Sequence, residues 1–242
     1  MLASAQVQAE SFDHLKITEV VNDASVINRS SQKAAAAKVD SNFNTPDILK
    51  TGDRSRVELV AADNTVTRVG SNTVFSFTPH SRDVNLQQGS VLFTSPTGKG
   101  GGTINTKAAT AGVLGTSIVV TATADGGFKL LVLEGKAKVT VPKKKGELVL
   151  NAGETFFITP GTGINGRDLS GTPVYEFRLK SAVEGSNLVK GFKNELPSIG
   201  KIQNAVASQE KKLKKTSNSL ETLPINDSGL MQSRHNGASQ EY

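Results

Sequence analysis

The chain has 242 residues, of which 36% are hydrophobic and 5% aromatic, with 23 glycines, 8 prolines and neither cysteine nor tryptophan. The lack of cysteine excludes disulfides, thiolate nucleophiles and cysteine-ligated metals, and no apolar run is long enough to cross a membrane as a helix. The formal net charge of +6 favours acidic partners such as nucleic acid, anionic lipid or anionic glycans. A glycine-rich, aromatic-poor composition is typical of many short strands joined by tight turns, so the sequence predicts an all-β fold.

The first residues are small and polar, and Val7-Gln8-Ala9 resembles the cleavage site at the end of a secretory signal. The basic and apolar segments that precede such a site do not appear ahead of it. We therefore predict that residues 1–12 are the remnant of an export signal that starts upstream of Met1, and that the mature protein is exported. The alternative is an unstructured N-terminus.

Apolar residues alternate from Leu15 to Val21 and predict a strand, which residues 24–27 continue after a turn. The segment 30–38 is rich in alanine and lysine and has no apolar face, so we interpret it as an inserted loop or short exposed helix. Residues 48–53 are predicted to form the turn that leads into a denser run of strands.

This denser run alternates in segments of about five residues separated by turn residues, as in an antiparallel meander. Asp125-Gly126-Gly127 is the clearest hairpin turn within it. The predicted strands cover residues 56–60, 65–69, 73–77, 82–86, 89–94, 103–106, 118–123, 128–133, 136–141, 147–150, 154–159 and 172–177.

The central stretch Ala111–Thr121 is apolar, β-branched and interrupted by Gly112 and Gly115. Its second half, from Ser117, predicts a strand that is buried on both faces. Glycines inside a strand indicate a bend, a bulge or the close approach of another backbone. We therefore predict one kinked core strand, packed so tightly at both glycines that a Cβ atom would collide.

Two segments around this stretch resemble each other. Gly89 precedes Pro96 by seven residues, and Gly135 precedes Pro142 by the same interval, each with a strand between. A repeated turn–strand–break unit suits strands stacked coil on coil. With two copies, chance is the alternative explanation.

Beyond residue 178 the pattern changes to helix-forming and basic residues. It predicts helices at 181–192 and 199–215, within a basic helical extension over 179–215. The polar segment 216–242 is rich in serine, asparagine and glycine, and we predict that it is disordered.

Motifs for catalysis or cofactor binding fail on inspection. Residues 161–166 match G-x-G-x-x-G, but Gly171 and Pro173 prevent the helix that a dinucleotide site needs. The three histidines lie far apart, without the spacing of a metal site or a catalytic triad. Aromatic residues are too few to form a stacking surface for nucleic acid. We therefore predict no catalytic, cofactor or metal site, no nucleic-acid partner and no enzymatic activity.

Several carboxylates lie at turns and strand ends, where acidic side chains commonly accept hydrogen bonds from nearby backbone and need no catalytic explanation. These are Asp53, Asp63, Asp125, Glu134 and Glu154.

Six fragments, taken in their order and spacing, carry a resemblance to a known family: residues 51–59, 63–70, 86–91, 111–116, 132–139 and 150–154. From about Gly52 to Ile158 the chain resembles the FecR domain family. The structural motif residues of this resemblance are Gly52, Asp53, Gly112, Gly115, Thr116, Gly135 and Gly153.

The resemblance implies a non-enzymatic, all-β domain outside the cytoplasm, built as a compact twisted β-helix or sandwich over residues 13–178, with its core at 52–158. In the best-known family members it is the periplasmic part of an inner-membrane regulator, which receives a signal from an outer-membrane transporter and controls a sigma factor. With neither a transmembrane helix nor a sigma-binding segment before the domain, this sequence is similar to the stand-alone exported members, in the periplasm or secreted.

Two functions fit these expectations. The first is an envelope interaction or signalling module that binds a protein partner through loops on a rigid β scaffold. The second is a binder of anionic envelope polysaccharide through basic loops, since two lysines on one face of an alternating strand make a patch. The predicted electrostatic contacts are Lys136, Lys138, Lys143, Lys144 and Lys145, with Lys99 and Lys107 in the polysaccharide hypothesis. Neither the ligand nor the oligomeric state follows from the sequence.

Overall fold

The computed structural model describes residues 11–96, 98, 100–113 and 115–216. Residues 1–10 of the predicted export-signal remnant, the predicted disordered tail beyond residue 216, Lys99 and Leu114 lie outside the described residues.

Within the described residues the chain forms seventeen strands and three helices. The strands are β1 (His14–Val21), β2 (Ala24–Ile27), β3 (Ala34–Ala36), β4 (Asn42–Asn44), β5 (Ile48–Thr51), β6 (Arg56–Val60), β7 (Val66–Val69), β8 (Val74–Phe77), β9 (Val84–Thr94), β10 (Gly102–Asn105), β11 (Thr110–Val113), β12 (Ser117–Ala122), β13 (Phe128–Glu134), β14 (Lys136–Thr140), β15 (Leu148–Asn151), β16 (Glu154–Ile158) and β17 (Tyr175–Glu176). The helices are α1 (Leu179–Gly185), α2 (Asn187–Lys190) and α3 (Ile199–Thr216).

The strands form one continuous sheet that folds over itself into two layers, which we call the inner and outer layers. The inner layer runs β4-β1-β6-β7-β9-β12-β13-β16-β17. The outer layer runs β3-β2-β5-β8-β9-β10-β11-β14-β15. The long strand β9 belongs to both layers, and every pairing is antiparallel except β9 with β10. The predicted all-β fold is confirmed, with the few helices near the C-terminus.

The main hydrophobic core lies between the two layers. Its N-terminal half is aromatic, because Phe12, Phe43, Phe75, Phe77 and Phe93 are all buried there. The Phe75 and Phe77 rings meet edge-on with centroids 4.8 Å apart, and Phe12 meets Phe77 at 5.2 Å. Aromatic pairs in this geometry add to the stabilisation that buried area alone provides.

A second core lies on the other face of the inner layer, where the helices pack. Leu92, Val119 and Leu131 project from the strands into this core and meet Leu188 and Ile202 from the helical segment. Strand β12 is therefore covered on both sides and all its residues are buried. This is the double burial that its apolar sequence predicts.

Glycines mark the points where the chain passes between layers. Gly89 lies where β9 leaves the outer layer for the inner one, with φ +94°, and Gly135 joins β13 to β14 with φ +76°. A Cβ atom at Gly89 would lie 2.5 Å from Thr73 Cα, and one at Gly135 would lie 2.5 Å from Thr116 Cγ2. Each glycine thus packs against a threonine that follows a left-handed residue, Asn72 or Gly115. The two copies of the repeat perform the same structural task.

The central stretch differs from the prediction. It is two strands, β11 in the outer layer and β12 in the inner one, joined by a turn that contains Gly115 with φ +63°. Gly115 therefore supplies the left-handed backbone conformation with which the chain turns from β11 into β12. The close-packing interpretation of Gly112 is wrong, because a Cβ atom there would lie 3.8 Å from Lys138 Cβ, an ordinary contact.

Four local predictions need correction. Residues 34–36 form a short exposed strand paired with β2, and 48–51 form a strand, since both add backbone hydrogen bonds to the outer layer. The strands predicted at 82–86 and 89–94 are one strand, bent near Gly89. The helix predicted over 181–192 breaks at Ser186, whose backbone is extended and whose side chain caps α2.

One buried arginine connects the helical segment to the inner layer. Arg68 on β7 is completely buried, and its Nε donates to Glu58 Oε2 at 2.8 Å. Its Nη1 donates to the carbonyl oxygens of Leu188 (3.1 Å) and Val189 (2.9 Å), and its Nη2 donates to the carbonyl oxygen of Asn194 at 2.5 Å. These bonds fix α2 and the polypeptide that follows it onto the strands.

Replacing Arg68 by methionine tests this connection. The variant leaves the Glu58 carboxylate buried without its cation and removes donors from three carbonyl oxygens. We expect the free energy of unfolding to fall by about 3–5 kcal/mol in urea denaturation. The control is Lys16→Ala, which removes an exposed ion pair with Asp40 (2.7 Å) and should cost less than about 1 kcal/mol. Equal losses in the two variants would contradict the connection.

The requirement for glycine where the chain passes between the layers is tested by comparing Gly135→Ala with Gly112→Ala. Alanine at position 135 would take up a left-handed conformation and collide with Thr116, so we expect a loss of about 2 kcal/mol or more. Alanine at position 112 has room and should change stability by less than about 0.5 kcal/mol. Urea denaturation measures both, and a larger loss at position 112 would overturn this account.

Candidate interaction surface

The predicted lysine contacts divide into two groups. Lys136 and Lys138 are exposed on β14, alternating with buried Ala137 and Val139, as the strand pattern predicts. Lys138 Nζ lies 2.7 Å from Glu147 Oε1, so a neighbouring carboxylate partly neutralises its charge. Lys143, Lys144 and Lys145 follow in the loop between β14 and β15.

Lys144 has a structural role. Its Nζ donates to the carbonyl oxygen of Ile164 at 2.7 Å and to that of Gly166. The backbone N–H of Lys145 donates to the Arg167 carbonyl (3.0 Å), and the N–H of buried Leu169 donates to the Lys145 carbonyl (2.9 Å). The loops 141–147 and 159–174 therefore form one unit, which we call the paired loops. This unit exposes the side chains of Lys143, Lys145 and Arg167, and sequence reasoning had not singled out Arg167.

The paired loops stand beside the edge of the inner layer. The short strand β17 pairs only with Glu154 and Thr155 of β16. Residues 156–158 of β16 pair with β13 on one side. On their other side no described strand pairs with them. A cleft of about 330 Å³ separates this edge from the paired loops, with Ile164 and Pro173 in its wall.

Two exposed aromatic rings lie at this cleft. Phe157 is 37% exposed and Tyr175 is 44% exposed, and their rings stack with centroids 5.2 Å apart and planes 25° apart. Exposed aromatic side chains stacked in this way are typical of interaction sites, whereas scattered apolar ones are normal on any surface.

A lysine lies next to the aromatic pair. Lys129 on β13 is the cross-strand neighbour of Phe157, so the two side chains share one face of the inner layer. Burial lowers the pKa of Lys129 below its usual range. Among the described residues its ammonium group has neither a hydrogen-bond nor an ion-pair partner.

A separate polar cluster lies at the start of α3. The hydroxyl groups of Thr94, Ser117 and Ser198 form a hydrogen-bonded set, in which Ser117 Oγ lies 2.7 Å from both other oxygens. Ser117 Oγ also donates to Glu134 Oε1 at 3.3 Å. Burial raises the pKa of Glu134, against the smaller opposing effects of the Lys201 charge and the Ser117 hydrogen bond. Glu134 lies at the end of β13, as the sequence predicts, but it is buried and its partner is the Ser117 hydroxyl on another strand rather than the nearby backbone.

The other acidic side chains behave as the sequence predicts where their partners are local. Asp63 Oδ1 accepts from Thr65 N at 2.9 Å, and Glu154 Oε2 accepts from Asn151 N at 2.7 Å. Asp63 also binds buried Arg82 at 2.7 Å, an ion pair that sequence reasoning missed. No group of three metal-ligating side chains occurs among residues 11–216 as far as they are described.

The FecR-like motif residues do not converge on one site. Gly52 and Asp53 join β5 to β6, Gly115 and Thr116 join β11 to β12, and Gly153 joins β15 to β16. Each of these connections, like Gly135, passes between the two layers, whereas Gly112 lies within β11. Most of the motif residues therefore mark the connections between the two layers and do not form a binding site.

A comparison with protein-family models matches residues 47–138 to the family described as FecR protein. Residues 47–138 form a FecR domain. The matched segment starts just before β5 and ends within β14, so it contains Gly89 and Gly135, at both of which the chain crosses between the layers. The paired loops, the aromatic pair and the helices lie beyond its last matched residue.

Two solved structures from Parabacteroides distasonis, each described as a "putative anti-sigma factor", are similar to this chain. The first is 20% identical with a TM-score of 0.43, and the match covers 48% of this chain and 56% of that one. The second is 16% identical with a TM-score of 0.43, covering 72% and 95% respectively. The chain thus spans little more than half the length of the first. No curated protein matches the sequence.

Within the described residues, none of the helices has both the length and the hydrophobicity required to cross a bilayer.

The raised pKa of Glu134 predicts a pH dependence of stability. A carboxyl with a raised pKa in the folded state contributes stability at low pH, which is lost as the pH rises through that pKa. Glu134→Gln mimics the protonated form, so its melting temperature relative to wild type should rise by a few degrees between about pH 4 and pH 7. The control, Glu184→Gln, changes an exposed side chain and should show little change. A constant difference for Glu134→Gln would contradict the burial effect.

Proposed function

We propose that this protein is a non-enzymatic interaction and signalling module of the FecR type, acting in the bacterial periplasm or secreted from the cell. It binds a protein partner through loops carried by a rigid β scaffold. The FecR domain supplies the family context. The observation that carries the proposal is the stacked, exposed Phe157–Tyr175 pair beside a cleft whose wall is the paired loops.

The geometry at this end of the molecule suits a protein surface. Aromatic side chains supply large contact areas with little loss of conformational entropy, and interface cores are enriched in them. The paired loops are held by Lys144 and by the backbone bonds of Lys145, so they present their surface already ordered. Preorganisation of this kind reduces the entropy lost on binding.

A second candidate is the binding of anionic envelope polysaccharide. The observation that favours it is the exposure of Lys143, Lys145 and Arg167 on the paired loops, with Lys136 exposed on β14. Such a surface would bind mainly through charge, and screening by salt weakens contacts between exposed charges strongly.

Capture from envelope extract by the full chain separates the two functions. Under the first, the retained material is protein, is lost when the extract is treated with protease, and falls only modestly between about 50 and 500 mM salt, because apolar contacts are not screened. Under the second, it survives protease and falls steeply over the same salt range. A triple variant, Lys136→Gln, Lys145→Gln and Arg167→Gln, should abolish polysaccharide capture but only weaken protein capture, because the exposed Phe157–Tyr175 contact remains. Capture of neither material would contradict both functions.

A further inference from the structure

The open part of β16 is an unprotected strand edge. A strand without a neighbour presents unpaired backbone N–H and C=O groups that can pair with another chain. Proteins commonly protect such edges with charged residues, proline or a bulge, but the open part of β16 reads Phe156-Phe157-Ile158. The short strand β17 stops before it, and a cleft stands in front of it.

This edge has the features that strand addition requires. In that mode, an extended peptide pairs with the edge through its backbone, and pockets for alternate side chains give specificity. Here the backbone of residues 156–158 is the edge, and the rings of Phe157 and Tyr175 are the side-chain contact on the outward face. The cleft leaves open space beside this edge.

The charges around the edge indicate an acidic occupant. Lys129 lies on the strand next to Phe157, on the same face, and its half-buried ammonium has no partner among the described residues. Lys145 and Arg167 are exposed on the paired loops, other residues of which line the cleft. A second copy of this chain also carries a net charge of +6, so repulsion disfavours pairing of the edge with itself.

We propose that residues 156–158 of β16 are the docking edge for an extended acidic segment of a protein partner. The segment adds to the inner layer as a further strand and places an apolar side chain against the Phe157–Tyr175 pair. Its carboxylates lie near Lys129 and the cations of the paired loops. The proposal rests on the protein-binding function above and specifies how that partner is held.

Three synthetic peptides test the proposal against the full chain. The first has a Val-Phe-Val centre with two aspartates on either side, the second has lysines in place of the aspartates, and the third is the acidic peptide N-methylated at its three central amides. We expect the acidic peptide to bind at least about tenfold more tightly than the other two. The lysine peptide lacks the negative charge, and the N-methylated peptide lacks the backbone N–H donors that pair with the edge. Hydrogen exchange should show new protection at residues 156–158.

Variants locate the site. Phe157→Ala should weaken binding of the acidic peptide about tenfold, the size expected for an aromatic anchor, and Lys129→Gln should weaken it to a smaller extent. Val39→Ala is the matched control, since Val39 is an exposed apolar residue (50%) on another part of the surface. Thermal melts of each variant identify any loss of folding.

The proposal is overturned if the acidic peptide fails to bind, if it binds no better than the basic or N-methylated peptide, or if protection appears elsewhere. It is also overturned if sedimentation shows a dimer of this chain that Phe157→Ala dissociates. Protein capture from extract that persists in Phe157→Ala would leave the protein-binding function intact and refute this edge alone.

Discussion

The Arg68–Glu58 ion pair is the interaction on which the association of the helices with the sheet depends. Removing two charges from water is costly, and a buried pair is stable only when further hydrogen bonds satisfy its remaining donors and acceptors. Here three backbone carbonyls complete the guanidinium, and Thr18 Oγ1 donates to the other Glu58 oxygen at 2.8 Å. The Phe192 ring covers the guanidinium, with Arg68 Cζ 4.5 Å from its centroid. The helical segment is therefore part of the folded unit, because it completes the environment of a charge buried in the β layer.

The segment that matches the FecR family and the candidate binding surface occupy successive parts of the chain. The match to the FecR family ends in β14, while the edge cleft is built by β16, β17 and the paired loops, which come later in the chain. Hydrogen bonding from β13 to β16 continues the sheet across that limit without interruption. The segment that matches the FecR family can thus be continued by strands that carry a separate candidate binding surface.

The sequence predicted most strands because alternation and turn residues are local signals. It could not distinguish the two layers, since a strand of period two has the same pattern in either one. Arg68 lies in an alternating strand like its neighbours, and its carbonyl partners are about 120 residues away. The exposure of Phe157 depends on where β17 stops, and the burial of Glu134 depends on the position of α3. Such features arise from tertiary packing, which propensity does not encode.

The alternation of hairpins between layers restricts how this architecture can change in length. From β10 onward the chain forms two strands in one layer, crosses, and forms two strands in the other. An added single strand would reverse the chain direction and bring the next crossing glycine to the wrong end of the sheet. An added hairpin preserves both direction and layer order. The natural unit of insertion or deletion in this sheet is therefore a whole hairpin, and the sandwich lengthens in discrete steps.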